Sequence, residues 1–244
     1  MTLAIAEQGV LYSVVNMSTF DDFALDYEAA LKRNLKLIPG GVDYYYMNRV
    51  RVTRRIMQNR AQPSNILDFG AGVGLTIPHL ASAFPSASIT ACDESRESIA
   101  ALKKRHPFVR TCELDEIPPR HFDLIFVAGV IHHVQPTERY RVIERFRLAL
   151  RPGGILMVFE LNPLNPVTRF LVRECPFDED ANLVSKRILR MSFTRVPDFE
   201  LLEEGFMVFM PPALKMISQI EGFLRWCPLG AQYYLAMSTS ETAN

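Results

Sequence analysis

The 244-residue sequence lacks an excess of either charge: 27 lysines and arginines stand against 27 aspartates and glutamates. That balance argues against nucleic acid as a partner, because gripping a polyanion draws on a net basic surface. Long apolar runs are also missing, and no stretch approaches the ~20 residues that cross a bilayer. The segment from Met1 to Asn16 has neither a basic start nor a clear small-residue cleavage site, so it does not read as a leader. A cytoplasmic protein with no membrane partner is expected. Cysteine is sparse. Cys92, Cys112, Cys175 and Cys227 are scattered without a CxxC pair, which disfavours a zinc knuckle or a disulfide framework. Each reads best as a small buried apolar residue in a reducing compartment. Repeats and low-complexity tracts are absent. The chain does have 48% apolar and 22% charged residues, enough for a sizeable core.

Apolar periodicity changes along the chain. Phe20, Phe23, Ala24, Tyr27, Ala30, Leu31 and Leu35 recur at helical spacing until Pro39-Gly40-Gly41 breaks the pattern. A second helix is expected from Tyr45 to Arg60. Short apolar strands then alternate with helices. Strands are expected at 65–69, 88–92, 122–128 and 155–159, with a weaker one at 108–112. Helices are expected at 75–84, 95–105 and 136–150, the last burying Tyr140, Ile143, Phe146 and Leu150 on one face. Near-continuous apolar strands separated by helices predict a parallel sheet covered on both faces. The tail differs: strands at 206–210 and 232–237 flank a helix at 213–226, as in an antiparallel addition at a sheet edge.

The sharpest feature is Leu67-Asp68-Phe69-Gly70-Ala71-Gly72-Val73-Gly74, where a strand ends and a helix is expected to open. Glycines there allow a tight turn and close ligand approach, and amides at a helix start favour a carboxylate. Asp93, at the end of the next strand, suits a pair of ribose hydroxyls. A dinucleotide is disfavoured, because its G-x-G-x-x-G/A fingerprint would need Gly or Ala where Leu75 stands. Asp68 at that mouth repels a pyrophosphate and attracts an ammonium. Ribose, ammonium and carboxylate together describe an amino-acid nucleoside.

With these residues in view, the sequence resembles the class I S-adenosylmethionine-dependent methyltransferases, over residues 20–160 in order and more loosely in the tail. Asp68-x-Gly70-x-Gly72-x-Gly74 resembles the family's first motif, and Asp93-Glu94-Ser95 its ribose-binding turn. Cys112-Glu113-Leu114 stands where the family places adenine contacts, with Cys-Glu where Gly-Asp is commoner. Ala128-Gly129-Val130-Ile131-His132-His133 resembles the fourth-strand motif, and Leu148 to Gly154 the turn before the fifth strand. The resemblance implies an α/β fold, a doubly wound, Rossmann-like, seven-stranded sheet with an antiparallel last strand, plus an N-terminal helical lid. It implies S-adenosylmethionine as cofactor, S-adenosylhomocysteine as product and no metal. The cofactor set it carries over is Asp68, Gly70, Ala71, Gly72, Gly74, Asp93, Glu94, Glu113, Leu114, Ala128, Gly129 and, from the F-D-x-x-A-x-x-Y pattern at 20–27, Tyr27. The expected organisation is an extension and lid at 1–60 and a methyltransferase domain at 61–244, with an acceptor-binding insert about 162–205. The tail stretch 221–234 is similar to small-molecule enzymes of bacterial biosynthetic clusters.

Methyl transfer needs alignment of donor and acceptor and exclusion of water; a base is needed only for an acceptor that must lose a proton. His133 is the first candidate base and His132 the second, with loop-orienting roles as their alternative. Glu160 points to the same edge, although a capping or supporting role is preferred for it. Tyr44, Tyr45, Asn162, Asn165, Arg169 and Arg173 are the candidate acceptor contacts, with a solvated helix face as the alternative for the two arginines. Arg49, Arg51, Arg54 and Arg55 read as a solvated run rather than a phosphate receiver. The expected partner is a small-molecule acceptor with an O, N or C nucleophile. Met1 to Ser18 is a candidate interface segment for a homodimer. The alternative function keeps fold and cofactor but catalyses a non-methylating reaction such as cyclisation or decarboxylation.

Overall fold

A computed structural model describes residues 41–175, 181–209 and 221–240. The expected helix at 20–35, Tyr27, the segment 1–18 and the first part of the helix expected at 213–226 lie outside the described residues. The elements are α1 (Gly41–Met57), β1 (Asn65–Phe69), α2 (Ile77–Ala83), β2 (Ser88–Cys92), α3 (Arg96–Arg105), β3 (Arg110–Thr111) and β4 (Phe122–Ala128). They continue with α4 (Arg139–Ala149), β5 (Leu150–Leu161), α5 (Pro166–Arg173), α6 (Lys186–Phe193), β6 (Phe199–Met207) and β7 (Gln232–Thr239). Short 3₁₀ turns occur at Leu114–Glu116 and Glu221–Leu224.

The strands form one seven-stranded sheet in the order β3-β2-β1-β4-β5-β7-β6. β1, β2, β3, β4 and β5 run parallel, and β7 is antiparallel to both β5 and β6. This is the doubly wound, Rossmann-like sheet with an antiparallel last strand that the motifs imply. Period-two alternation divides the core. Leu67, Phe69, Ile125, Val127, Leu156 and Val158 face α4 and α6 on one side, around Phe146, Leu189 and Phe193. Ile66, Leu124, Phe126, Ile155, Met157 and Phe159 face the other side, around Val50, Ile77, Leu80 and Leu102. Both faces are apolar because both are covered, so the strands read as runs rather than alternations.

Several boundaries differ from expectation for local reasons. α1 spans Gly41–Met57 where 45–60 was expected, with Asp43 in its first turn, which suits the positive end of a helix. α4 begins at Arg139, after a turn in which the Gln135 carbonyl accepts from Glu138 and Arg139. Its buried face is therefore Arg139, Ile143, Phe146 and Ala149, and Tyr140 lies 47% exposed, one residue off that face. The Arg151 to Gly154 stretch is not a turn before a strand. It is already part of β5, taken up by a register shift against β4 between Phe122 and Leu124. β3 is only two residues long, and β6 starts at Phe199 rather than Phe206. α6 was not expected; its start is marked by Ser185, whose hydroxyl accepts from the Ile188 amide.

Candidate functional site

Parallel β1, β2, β4 and β5 bring Phe69, Cys92, Ala128 and Leu161 to one edge of the sheet. β7 runs the other way, so its first residue, Gln232, arrives at that same edge, paired with Leu161. Ligands of open α/β sheets bind outside the carboxyl ends of the strands, near the point where strand order reverses. Here the reversal falls between β1 and β4.

The glycine loop leaves β1 by turning across the end of β2. The amides of Gly70 and Ala71 both donate to the Cys92 carbonyl, at 2.9 and 3.0 Å. The Gly72 amide donates to Asp93 Oδ2 at 2.7 Å, while Asp93 Oδ1 accepts from Ser95 at 3.0 Å. Gly74 donates back to the Ala71 carbonyl. The helix that follows starts only at Ile77. A carboxylate cradle of free amides at a helix start, expected from the sequence, is therefore not what the loop presents: the amides of Gly70, Ala71, Gly72 and Gly74 are already partnered. Gly70 sits at φ +70 with its missing Cβ pressed against Val130 (2.3 Å), whereas Gly72, at φ +52, faces open space. Gly70 is a packing glycine, and a Cβ at Gly72 would meet no atom of the described residues within 4 Å.

Asp68 is 3% exposed and its Oδ2 has no hydrogen-bond partner among the described residues. Burial and the neighbouring Asp93 push its carboxyl up to about 7, and Arg49 pulls against them. A buried, unpartnered acceptor is costly and is retained where a ligand completes it. Arg49 is also buried, with Nε donating to Gln232 Oε1 at 3.1 Å and its guanidinium 5.9 Å from the Tyr46 ring centroid. Burial pushes the Tyr45 phenol up to about 12 against the pull of Arg49. Tyr44 packs edge-on against Tyr45 at 6.4 Å.

Arg49 was missed as a site residue because it was read with its neighbours. Three of them face water: Arg51, Arg54 and Arg55 are exposed, and Arg55 forks onto Glu203 at 2.9 and 2.5 Å. Arg49 lies on the opposite side of α1 with Asn48, Val50 and Thr53. The available signal was its helical phase, two residues ahead of Arg51 and so off the Arg51-Arg54-Arg55 face.

Beyond β4, one carboxylate organises the loop. Glu160 is 1% exposed; its Oε1 accepts from Val130 (3.1 Å) and Ile131 (2.7 Å), and its Oε2 meets His132 Nδ1 at 2.6 Å. Burial raises the Glu160 carboxyl, but His132 and the Ile131 amide outweigh it and hold it below the ordinary range. His133 is half-buried with its ring centroid 4.1 Å from that of His132. The His132 carbonyl accepts from Asn182 at 2.7 Å. His132 thus has a carboxylate-oriented ring, the arrangement used where an imidazole must hold one tautomer.

The remaining candidates spread out. Glu94 is exposed beside Asp93, and Glu113 caps the 3₁₀ turn with Leu114 half-buried behind it. Ala128 and Gly129 end β4, with the Gly129 amide on the Phe159 carbonyl. Asn162 commits its Nδ2 to the carbonyls of Pro228 and Gly230 and its Oδ1 to the Leu164 amide. Asn165 caps α5 through Thr168 and donates to the Leu229 carbonyl. Both amides therefore fasten the 228–231 loop. Arg169 and Arg173 are exposed. Among the described residues no group of three His, Cys, Asp or Glu side chains is placed to hold a metal ion, and no helix is long and apolar enough to cross a membrane.

Residues 67–156 match the methyltransferase domain family. Over 120 residues the chain is 27% identical to a trans-aconitate 2-methyltransferase of Rhodopseudomonas palustris, covering 48% of this chain and 46% of that protein. It is 32% identical over 110 residues to a Drosophila melanogaster tRNA N(3)-methylcytidine methyltransferase, covering 39% and 34%. In structure it is similar to a Thermotoga maritima S-adenosylmethionine-dependent methyltransferase described as a possible histamine N-methyltransferase. The TM-score is 0.64 at 16% identity, over 93% of this chain and 99% of that one. The chain spans less than two thirds of the length of the curated relatives it matches.

Proposed function

We infer that this chain, a class I methyltransferase by its domain at 67–156 and its seven-stranded fold, binds S-adenosylmethionine and transfers its methyl group to a small-molecule acceptor. The observation that carries the reading is the buried pair at the end of β1: Asp68, with an oxygen lacking a partner among the described residues, and Arg49 acting on it electrostatically. An ammonium and a carboxylate on one carbon complete such a pair, and an amino-acid nucleoside brings both. In this reading Asp68 receives the ammonium, Arg49 the carboxylate that the partnered loop amides cannot take, and Asp93 the ribose hydroxyls. The Gly72 and Ser95 amides hold the Asp93 carboxylate in place at the end of β2. Ala71, Gly72, Ala128 and Gly129 are assigned to the methionine side of the nucleoside, Gly74 to packing against His106 and Leu102, and Glu94, Glu113 and Leu114 to its nucleotide end.

When bound, the sulfonium supplies an electrophilic methyl that needs no metal. The chain's own work is to position and to dry the site. Glu160 fixes the 129–133 loop and the His132 ring, which makes His132 the better-oriented proton acceptor for a protic substrate, with His133 beside it. Tyr44 and Tyr45, on the α1 turn before Arg49, are assigned to the acceptor side; Arg169 and Arg173 are left for an acidic acceptor that reaches α5.

Balanced charge supports a small molecule over nucleic acid. Curated relatives named for methyl transfer favour that chemistry over cyclisation or decarboxylation. Trans-aconitate and related small carboxylic acids are the first acceptors to assay, since several relatives are named for that substrate. The test is calorimetric titration with S-adenosylhomocysteine. Arg49→Ala is expected to weaken binding roughly 10- to 100-fold, the loss of one charge-assisted contact, with Arg49→Lys in between. Equal affinities in wild type and Arg49→Ala would overturn the assignment.

The glycines give a second prediction. Gly70→Ala drives a Cβ into Val130 at a left-handed φ and is expected to lower the melting temperature, at about 1–3 kcal/mol for overpacking alone. At Gly72→Val the added Cβ meets no atom of the described residues within 4 Å, so the cost there is mainly the backbone strain, ~1–2 kcal/mol, while the side chain stands where the nucleoside is proposed to lie. This variant is expected to lose nucleotide binding out of proportion to its stability, as melting curves and titrations of the two variants would reveal.

A further inference from the structure

We propose that Cys92 and Cys112 form a redox-active pair in which a peroxide closes a disulfide at the nucleotide end of the site. β2 and β3 are parallel, with Thr90 opposite Arg110 and Ala91 opposite Thr111. The Cys112 amide donates to the Ala91 carbonyl at 3.2 Å, which continues the ladder by one step and sets Cys112 beside Cys92. Neighbouring strands lie about 4.8 Å apart, within the ~4.4–6.8 Å between Cα atoms that a disulfide spans. The two side chains therefore leave neighbouring strand ends at matched ladder positions. Both are free thiols, Cys92 buried and Cys112 half-buried directly after the edge strand β3.

The pair is asymmetric in a useful direction. The neighbouring Cys92 thiol holds the Cys112 thiol below its ordinary value, while Cys112 and burial push Cys92 up. Cys112 is therefore the thiolate that meets the oxidant. Its Sγ attacks one peroxide oxygen, the O–O bond breaks, and Cys112 becomes a sulfenic acid while hydroxide leaves. Cys92 Sγ then attacks Cys112 Sγ, the S–O bond breaks, and the Cys92 proton departs with the hydroxyl as water. Two thiols lose two electrons and the peroxide is reduced to two waters. A dithiol reductant reverses the change.

Bond closure follows from the strand geometry; its effect on nucleotide affinity rests on the cofactor reading above. The Cys92 carbonyl holds the amides of Gly70 and Ala71, and Asp93, the next residue, holds Gly72. Drawing the Cys92 side chain towards Cys112 pulls on the peptide that anchors the glycine loop. Glu113 is displaced on the other side, since it follows Cys112 directly.

The test treats the full chain with hydrogen peroxide, blocks residual thiols and maps peptides by mass spectrometry. S-adenosylhomocysteine is then titrated into the reduced, oxidised and dithiothreitol-treated protein. A Cys92–Cys112 crosslink, two hydrogens lighter, with affinity about tenfold weaker and restored by dithiothreitol, is the expected result. A Cys175→Ser/Cys227→Ser variant should respond as wild type does, and Cys112→Ser should have the same affinity before and after peroxide. A crosslink through Cys175 or Cys227, or Cys112 recovered as sulfinic acid without a bond, overturns the pair. A Cys92–Cys112 bond with unchanged affinity overturns the switch. Failure of the reduced protein to bind the nucleoside overturns the cofactor reading instead, and the crosslink still decides the pair.

Discussion

Asp68→Asn is expected to weaken nucleotide binding roughly 10- to 100-fold while making the ligand-free protein more stable at neutral pH. The two effects have one cause. The Asp68 carboxyl is shifted upward to about 7 by burial and by Asp93, from an ordinary value of 3.8. A group whose pKa is higher folded than unfolded takes up protons on folding between those values. Stability therefore falls as pH rises from about 4 to 7, on the order of 4 kcal/mol if this group acted alone. Asparagine removes the charge and with it that slope. Melting temperatures of wild type and Asp68→Asn from pH 4.5 to 8 should diverge as pH rises, with the variant higher. Saturating S-adenosylhomocysteine should narrow the gap by stabilising wild type only. Parallel curves without nucleotide would refute the account.

Glu160→Ala is expected to act in the opposite sense. It strips the Val130 and Ile131 amides and His132 of their common acceptor inside the protein. Breaking a buried charged network by removing one partner typically costs about 3–5 kcal/mol, enough to threaten folding at 37 °C. Glu160→Gln keeps an acceptor for the amides and separates the electrostatic loss from the packing loss. The Glu160 carboxyl is held below its ordinary value despite burial, chiefly by His132. Its contribution is therefore present above the unfolded carboxylate pKa and lost as pH falls through the folded one. Denaturant midpoints at pH 7 and pH 4 check this: the difference between wild type and Glu160→Gln should shrink on acidification. A constant difference would mean that the carboxylate charge is irrelevant.

The central sheet was legible because each strand of 65–69, 88–92 and 122–128 is a short apolar run bounded by turn residues, and burial on both faces leaves no other reading. The glycine loop was legible for a similar reason: Gly70 and Gly72 mark backbone that other residues enter only with strain. What the sequence did not disclose was pairing between distant side chains. Arg49 and Gln232 are 183 residues apart, and nothing local in either announces their contact. His132 and Glu160 meet because β4 and β5 are neighbours, which the motif order implies, yet the division of labour between His132 and His133 depends on a loop rotation that periodicity does not encode. Asn162 and Asn165 looked like acceptor contacts because they follow β5; the 228–231 backbone claims them through hydrogen bonds that only the fold brings near. Tyr140 was misassigned by one position on the helix face, since Arg139 takes the buried place beside Ile143 and Phe146.

The placement of β7 governs when the molecule becomes whole. Among the described residues β6 pairs only with β7, and β7 is wedged between β6 and β5. Residues 199–207 therefore cannot join the sheet during synthesis until 232–239 have been made and inserted in the opposite direction. Gln232 travels with that insertion, so the arginine on α1 finds its neutral anchor at the very step that seals the sheet. A nascent chain stopped short of this strand would carry the glycine loop and both aspartates, yet leave the guanidinium untethered above them.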